Sequence, residues 1–152
     1  NQYDHSIRVP FVVVGPDVPK GVTVPTPIYL QDVMPTTLEL AGADQPEHVF
    51  FKSFLSRLGQ TKSDASPKPY ESIYGSYLTL QRSITHDGWK LIIYPNAKVL
   101  RLYHVEDDPY EAVDLAADPE CAEKISQLFD RFIVLQRELQ DPVDVTYLRP
   151  SK

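Results

Sequence analysis

Residues 82–94 read Arg-Ser-Ile-Thr-His-Asp-Gly-Trp-Lys-Leu-Ile-Ile-Tyr, and this stretch decides the fold class. An Asp-Gly pair between two runs rich in β-branched and aromatic residues is a strong signal for a β-hairpin with a two-residue turn. A second turn is predicted at residues 95–98, and further strand-like runs lie at residues 70–77 and 101–105. The sequence therefore predicts four antiparallel strands joined by tight turns in a meander.

The most regular periodicity in the chain follows this sheet, between residues 119 and 140. Its apolar positions recur at helical spacing: Ile125, Leu128, Phe129, Phe132, Leu135 and Leu139. Gln136 is the one polar residue on the same face. Asp118 is a suitable N-cap, and Pro119 fits the first helical position. Burying each large apolar side chain contributes roughly 1.5–3 kcal/mol, whereas the cap contributes about 1 kcal/mol. We therefore predict a helix that packs across one face of the sheet.

Upstream of the sheet, residues 9–14 read Val-Pro-Phe-Val-Val-Val. A continuous apolar, β-branched run predicts a strand covered on both faces, as in the parallel sheet of an α/β protein. The rest of the sequence offers no obvious parallel partner for it. We therefore predict that part of the fold lies outside this chain, and that the exposed strand can pair with a second copy to form a dimer.

A short amphipathic helix is predicted after this strand. Asp32 is its expected N-cap, Pro35 falls in the first turn where a missing N–H is harmless, and Gly42 suits a left-handed C-terminal cap. Residues 50–58 predict a second short helix, and the polar stretch at residues 59–68 predicts an exposed loop.

Composition excludes several classes of protein. The net charge of −6 argues against a nucleic-acid binder, which normally presents a basic surface. No apolar run approaches the length that crosses a bilayer, so we predict no membrane segment. The single cysteine, Cys121, excludes an intrachain disulfide and a zinc site built from several cysteines.

Three stretches carry a resemblance to a known family. Residues 3–10 read Tyr-Asp-His-Ser-Ile-Arg-Val-Pro and lead through the predicted strand into Asp-Val-Met-Pro-Thr-Thr-Leu-Glu-Leu-Ala-Gly at residues 32–42. Residues 102–116 read Leu-Tyr-His-Val-Glu-Asp-Asp-Pro-Tyr-Glu-Ala-Val-Asp-Leu-Ala. With the hairpin at residues 82–94, they resemble, in order, the second half of the formylglycine-dependent sulfatases of the alkaline-phosphatase superfamily.

The resemblance implies an α/β parent protein, of which this chain is an α+β fragment. Residues 1–45 would be the tail of the catalytic α/β domain, and residues 46–152 a C-terminal antiparallel-sheet subdomain. The parent would hydrolyse a sulfate ester with a formylglycine nucleophile and calcium. In the family, the nucleophile motif, the calcium ligands and a sulfate-binding Lys all precede the position of Tyr3. We therefore expect no catalytic and no metal-binding residue in this chain, and no turnover by the chain alone.

Four residues are candidates for substrate binding. The resemblance places His5 at the edge of the pocket, where it could donate a hydrogen bond to substrate; alternatively it packs against or caps its own loop. Arg8 could contact sulfate or brace the loop through a carboxylate. His86 and Trp89 could shape the mouth of the pocket, but the Asp-Gly turn between them explains both as local structure.

Several alternatives stay open. Residues 106–109, Glu-Asp-Asp-Pro, lack the order of a calcium loop, and a carboxylate-capped turn explains them better. His104 and Asp114 replace an Asp and an Asn of the family pattern.

A phosphonate monoester hydrolase or phosphodiesterase of the same superfamily would share this tail. A non-enzymatic glycan-binding or structural module is a further alternative. The expected partners are the missing N-terminal catalytic portion and a sulfated small molecule or glycan. Family analogy suggests a periplasmic, lysosomal or secreted protein.

Overall fold

A computed structural model describes residues 1–58 and 69–150, so the predicted loop at residues 59–68 lies outside the described residues. The chain forms two compact units. One joins Asn1–Pro10 to Ser72–Lys152 and is called the sheet unit below; the other, Phe11–Glu71, is called the loop unit. The boundary expected near residue 45 concerns the domains of a parent protein and stays a prediction.

The sheet unit contains the predicted meander. Its four strands pair antiparallel in chain order: β1, Ile73–Tyr77; β2, Gln81–His86; β3, Trp89–Tyr94; and β4, Val99–His104. At the β2–β3 turn, Asp87 and Gly88 both adopt positive φ, 44° and 75°. A type I′ turn requires this conformation at both of its central residues, so the hairpin signal is confirmed.

The predicted C-terminal helix is also present. A 3-10 turn, Pro119–Cys121, leads into the helix Ala122–Glu138. Because two further helices precede it in the chain, this one is α3. The carboxylate of Asp118 accepts the backbone N–H of Glu120 at 2.9 Å, which confirms the predicted cap. None of the helices in the described residues is long and apolar enough to span a membrane.

One face of the sheet packs against α3 and forms the hydrophobic core. The core joins side chains from all four strands to the helix and to Val145, which follows the helix: Tyr74, Ile84, Leu91, Ile93, Leu102, Ile125, Leu128, Phe129, Phe132, Ile133 and Val145. Ile133 is buried although the sequence did not single it out, while Leu135 and Leu139 pack at the edge of the core. The helix face is therefore rotated slightly from the predicted one.

A buried ion pair between Arg82 and Asp141 fixes the chain just past the end of α3 to the sheet. The guanidinium of Arg82 donates to both carboxylate oxygens of Asp141, with Nη2 to Oδ1 at 3.0 Å, and the hydroxyl of Tyr74 donates to the same carboxylate. Burial alone would raise the pKa of Asp141, but the hydrogen bonds from Arg82 and Tyr74 hold that pKa below its ordinary value.

This pair predicts a pH dependence. A carboxylate with a depressed pKa in the folded state contributes stability above its unfolded pKa, about 4 for Asp, and loses it as the pH falls through the lower folded pKa. The free energy of unfolding, measured by urea titration between neutral and acidic pH, should therefore decline as the pH falls below the unfolded pKa of about 4. Asp141→Asn should flatten the decline, whereas Asp17→Asn, at an exposed position in the loop unit, should not. Equal slopes for Asp141→Asn and the unmodified chain would contradict this account.

The loop unit contains the predicted short helix, Val33–Leu40 (α2), preceded by a 3-10 turn, Leu30–Asp32. Pro35 lies in its first turn, and Gly42 has the expected positive φ of 65°. The prediction that Asp32 caps α2 is wrong, since its side chain makes no capping bond there.

Asp32 is instead buried, and its side chain binds chain segments before and after α2. Its carboxylate accepts the N–H of Tyr29 at 2.8 Å, the N–H of Lys52 at 3.1 Å and the hydroxyl of Tyr70 at 2.6 Å. The chain enters α2 through the 3-10 turn, so Asp32 lies at the third residue of that turn. Its carboxylate therefore satisfies the backbone at the start of the turn rather than at the start of the α-helix.

Residues 9–14 pair with no strand in the described residues, and Val12 is 82% and Val14 90% exposed. That they form a strand with partners outside this chain therefore stays a prediction. The helix expected at residues 50–58 is corrected. Residues 50–58 form only a 3-10 turn, Leu55–Arg57. The N–H groups of Lys52 and Phe54 are bound by side chains of Asp32 and Thr36 and cannot serve a helix.

Candidate functional site

The second face of the sheet, opposite α3, is covered by the N-terminal segment of the sheet unit, which includes the short helix Asp4–Ile7 (α1). The N–H of Gln2 donates to the side-chain oxygen of Gln81 at 3.1 Å, and the hydroxyl of Ser83 donates to the side-chain oxygen of Gln2 at 2.9 Å. A Cβ at Gly75 would lie 2.0 Å from that oxygen of Gln2. Glycine at this position therefore leaves room for the side chain of Gln2 against the strands.

Two tyrosines of the sheet hold Tyr3, the next residue of the segment. The Tyr94 hydroxyl donates to the Tyr3 hydroxyl at 3.0 Å, and the Tyr103 hydroxyl lies 3.4 Å from the same oxygen. Burial and the hydrogen bond to Tyr3 raise the pKa of Tyr94 to about 12, and the same causes raise the pKa of Tyr103. The phenols of Tyr94 and Tyr103 therefore stay neutral at physiological pH and act as hydrogen-bonding groups.

A buried salt bridge holds Asp4, the residue after Tyr3. Lys90 of β3 is 1% exposed, and its ammonium binds the carboxylate of Asp4 and Oε1 of Glu111, the latter at 2.7 Å. Oε2 of Glu111 also accepts the backbone N–H of Asp4 at 2.6 Å. Both the main chain and the side chain of Asp4 are therefore bound to the sheet unit. Every buried side-chain nitrogen and oxygen in the described part of the chain has a hydrogen-bonding partner.

Two of the predicted substrate-binding residues lie on the turn that this salt bridge holds. His5 is exposed; its ring stacks on Tyr3 with centroids 5.8 Å apart, and Nε2 lies 3.3 Å from the side-chain nitrogen of Asn1. Arg8 lies 3.9 Å from the carboxylate of Asp4, with its side chain 76% exposed. The structure thus places an imidazole and a guanidinium on one solvent-facing turn, and their contact with substrate stays a prediction.

The other two predicted residues lie elsewhere in the sheet unit. Nδ1 of His86 lies 3.1 Å from the hydroxyl of Ser72. The ring of Trp89 packs 4.5 Å from that of His104, and the ammonium of Lys124 lies 5.7 Å from the Trp89 centroid. Trp89 borders the hydrophobic core, so its side chain lies on the α3 face, opposite the N-terminal segment. The structure therefore does not bring these two residues together with α1, and their role at a substrate pocket stays a prediction.

The acidic stretch at residues 106–109 and the cysteine have local structural roles. Oδ2 of Asp108 accepts the N–H of Val113 at 2.9 Å, which with neighbouring backbone groups holds the pKa of Asp108 below its ordinary value. Cys121 lies in the 3-10 turn before α3, and burial raises the pKa of its thiol. Within residues 1–58 and 69–150, no three His, Cys, Asp or Glu side chains form a group that could hold a metal ion.

Sequence reasoning did not single out Asp4, Lys90 or Glu111 as site residues. A signal was present: Lys90 is the one charged residue of the apolar strand Trp89–Tyr94, and each of the three lies in a different stretch that resembles sulfatases. That these stretches meet at one ammonium group is visible only in the structure.

One family model matches a range that contains all three of these stretches. Residues 1–138 match the family model described as N-sulphoglucosamine sulphohydrolase, C-terminal, and this range includes Asp4, Lys90 and Glu111. The chain belongs to this sulfatase family. Among curated proteins, arylsulfatase K of Mus musculus is 25% identical over an alignment of 138 residues that covers 84% of this chain and 25% of that protein. Choline-sulfatase of Rhizobium meliloti (strain 1021) is 30% identical over 122 residues, 78% of this chain and 23% of that protein.

The chain is also similar in fold to parts of solved structures. A protein solved in complex with its substrate D-glucosamine-2-N,6-O-disulfate superposes with a TM-score of 0.63 at 22% identity, over 73% of this chain and 24% of that one. A 2-O GAG sulfatase superposes with a TM-score of 0.60 at 20% identity, over 72% of this chain and 25% of that one. The α+β sheet-and-helix architecture is therefore that of sulfatases, and this chain spans about a quarter of the length of its relatives.

Proposed function

We propose that this chain is the C-terminal part of a sulfatase whose complete protein hydrolyses a sulfate ester. One observation carries the proposal: the three stretches that resemble sulfatases meet at the buried ammonium of Lys90, which binds Asp4 from the first stretch and Glu111 from the last. The family match over residues 1–138 supports it. Since the chain spans about a quarter of arylsulfatase K and of choline-sulfatase, most of a complete enzyme would be contributed by other residues.

The chemistry of hydrolysis would then belong to the rest of the complete protein. We place the formylglycine nucleophile and the calcium ligands there, because the family pattern that residues 3–10 resemble puts both before the position of Tyr3. The residues of this chain would bind and orient substrate. His5 and Arg8, exposed on the same turn, offer an N–H donor and a permanent cation, which suit the oxygens of a sulfate group.

The expected partner of the loop unit is the catalytic portion of the complete protein. A groove of about 620 Å³ in this unit is lined largely by apolar side chains, among them Phe11, Val12, Val14, Val22 and Ile28. Exposed apolar surface next to an apolar, β-branched segment that pairs with no strand in the described residues is typical of a protein interface. We propose that a strand of the catalytic portion covers this groove and pairs with residues 11–14.

This proposal predicts the behaviour of the isolated chain. Without its cover, the groove should drive association, so size-exclusion chromatography with light scattering should show a dimer or larger species. Val12→Lys and Val14→Lys together should shift the chain to monomer, since charges oppose pairing at an exposed edge. A monomer at all concentrations for the unmodified chain would contradict the proposal.

The function itself is tested with the complete protein and a panel of esters: 4-nitrophenyl sulfate, choline sulfate and N- and O-sulfated glucosamine. We expect sulfate release from at least one of them, loss of that activity with a calcium chelator, formylglycine by mass spectrometry, and no turnover by the 152-residue chain alone. Hydrolysis of phosphonate monoesters or phosphodiesters without sulfate release would support the alternative enzyme class. Tight binding of sulfated glycan with no hydrolysis would support a non-enzymatic module.

A further inference from the structure

We infer that Lys90 and Glu111 are positioning residues, which set the location of His5 at the substrate pocket by clamping Asp4 to the sheet. The inference rests on the proposed function, because it assigns two residues of the C-terminal sheet a role in substrate binding. Neither residue would touch substrate, since both side chains are 1% exposed.

The N-terminal segment is bound to the sheet residue by residue up to His5. Gln2 is held by Gln81 and Ser83, Tyr3 by two tyrosine hydroxyls, and Asp4 by Lys90 and Glu111. His5 is the first exposed residue after these three contacts, and its ring stacks on Tyr3. The position of the imidazole is therefore determined by how firmly the sheet holds the preceding residues.

Glu111 is the part of the clamp that orients the main chain. One carboxylate oxygen binds the ammonium of Lys90 at 2.7 Å, and the other accepts the N–H of Asp4 at 2.6 Å. A carboxylate can accept from both donors at once, whereas a glutamine amide has one oxygen and must turn its NH₂ toward one of them. Glu111→Gln therefore loosens the hold on Asp4, while Lys90 keeps Asp4 as its charged partner.

The test is a double-mutant cycle in the complete protein, with Glu111→Gln, His5→Ala and both together. Glu138→Gln is the matched control, because Glu138 is exposed on α3. We expect Glu111→Gln to lower kcat/KM for the best sulfated substrate of the panel by about 10-fold, chiefly through KM, since small misplacements of a substrate-contacting group are costly. In the His5→Ala background, Glu111→Gln should have no further effect. Hydrogen exchange of peptides covering residues 1–8, measured in the complete protein, should be faster in Glu111→Gln than in Glu138→Gln.

Each result decides the inference. An equal fall in kcat/KM with and without His5 overturns it, because Glu111 would then act independently of that residue. An unchanged KM with faster exchange also overturns it, since the clamp would be structural only. Unchanged exchange shows that there is no clamp. If the unmodified complete protein releases no sulfate, the proposed function fails and the positioning role fails with it, while the exchange data still report whether Glu111 holds the segment.

Discussion

Lys90→Met should lower the free energy of unfolding of the sheet unit by about 3–5 kcal/mol, the usual cost of removing one partner from a buried ion pair. The substitution leaves the carboxylates of Asp4 and Glu111 next to each other with no cation between them. The sheet would then have to bury two like charges or release the N-terminal segment that covers its second face. Urea unfolding followed by fluorescence of Trp89, the single tryptophan and part of β3, measures the change.

The matched control for this substitution is Lys98→Met. Lys98 is exposed in the turn between β3 and β4, so removing its charge should change the free energy of unfolding by less than about 0.5 kcal/mol, as is usual for surface substitutions. Similar losses for the two variants would show that Lys90 contributes no more than a surface lysine.

Phe132→Ala should be similarly destabilising, by about 3–5 kcal/mol, because it removes a large buried ring and leaves a cavity. Phe132 is fully buried at the centre of α3 and stacks on Tyr74 of β1, with ring centroids 5.2 Å apart. It therefore joins the helix to the edge strand of the sheet. The same unfolding measurement tests this prediction.

Val134→Ala on the same helix controls for helix propensity and for handling of the protein. Val134 is 54% exposed, so its truncation should cost little. Equal effects of the two alanine substitutions would contradict the proposal that helix packing on the sheet, not the helix itself, stabilises this unit.

The parts of the fold that were predictable are those with local signals. Asp87-Gly88 imposes its turn through backbone conformation alone, and the apolar spacing from Ile125 to Phe132 defines one helix face whatever it packs against. The cap at Asp118 also acts within one turn. Such features need no knowledge of the rest of the chain.

The features that sequence reasoning missed depend on distant partners. Lys90 binds Asp4 and Glu111 across long separations in the chain, and no periodicity indicates such a pairing. Asp32 has the residue type of an N-cap, but its carboxylate accepts hydrogen bonds from the hydroxyl of Tyr70 and the backbone N–H of Lys52, both later in the chain.

For the candidate site, the resemblance located the turn that carries His5 and Arg8, whereas the structure showed what holds it. The exposed residues stood out as candidates because their types suit sulfate binding. The residues that fix them looked ordinary in sequence, since their role lies in burial and geometry.

The release of inorganic sulfate by the complete protein tests the central claim most directly. We expect sulfate to appear stoichiometrically with the desulfated product from at least one aryl, choline or glucosamine sulfate. A purified complete protein that binds calcium and carries formylglycine but releases no sulfate from any of these, while cleaving a phosphonate monoester or a phosphodiester, would contradict the assignment.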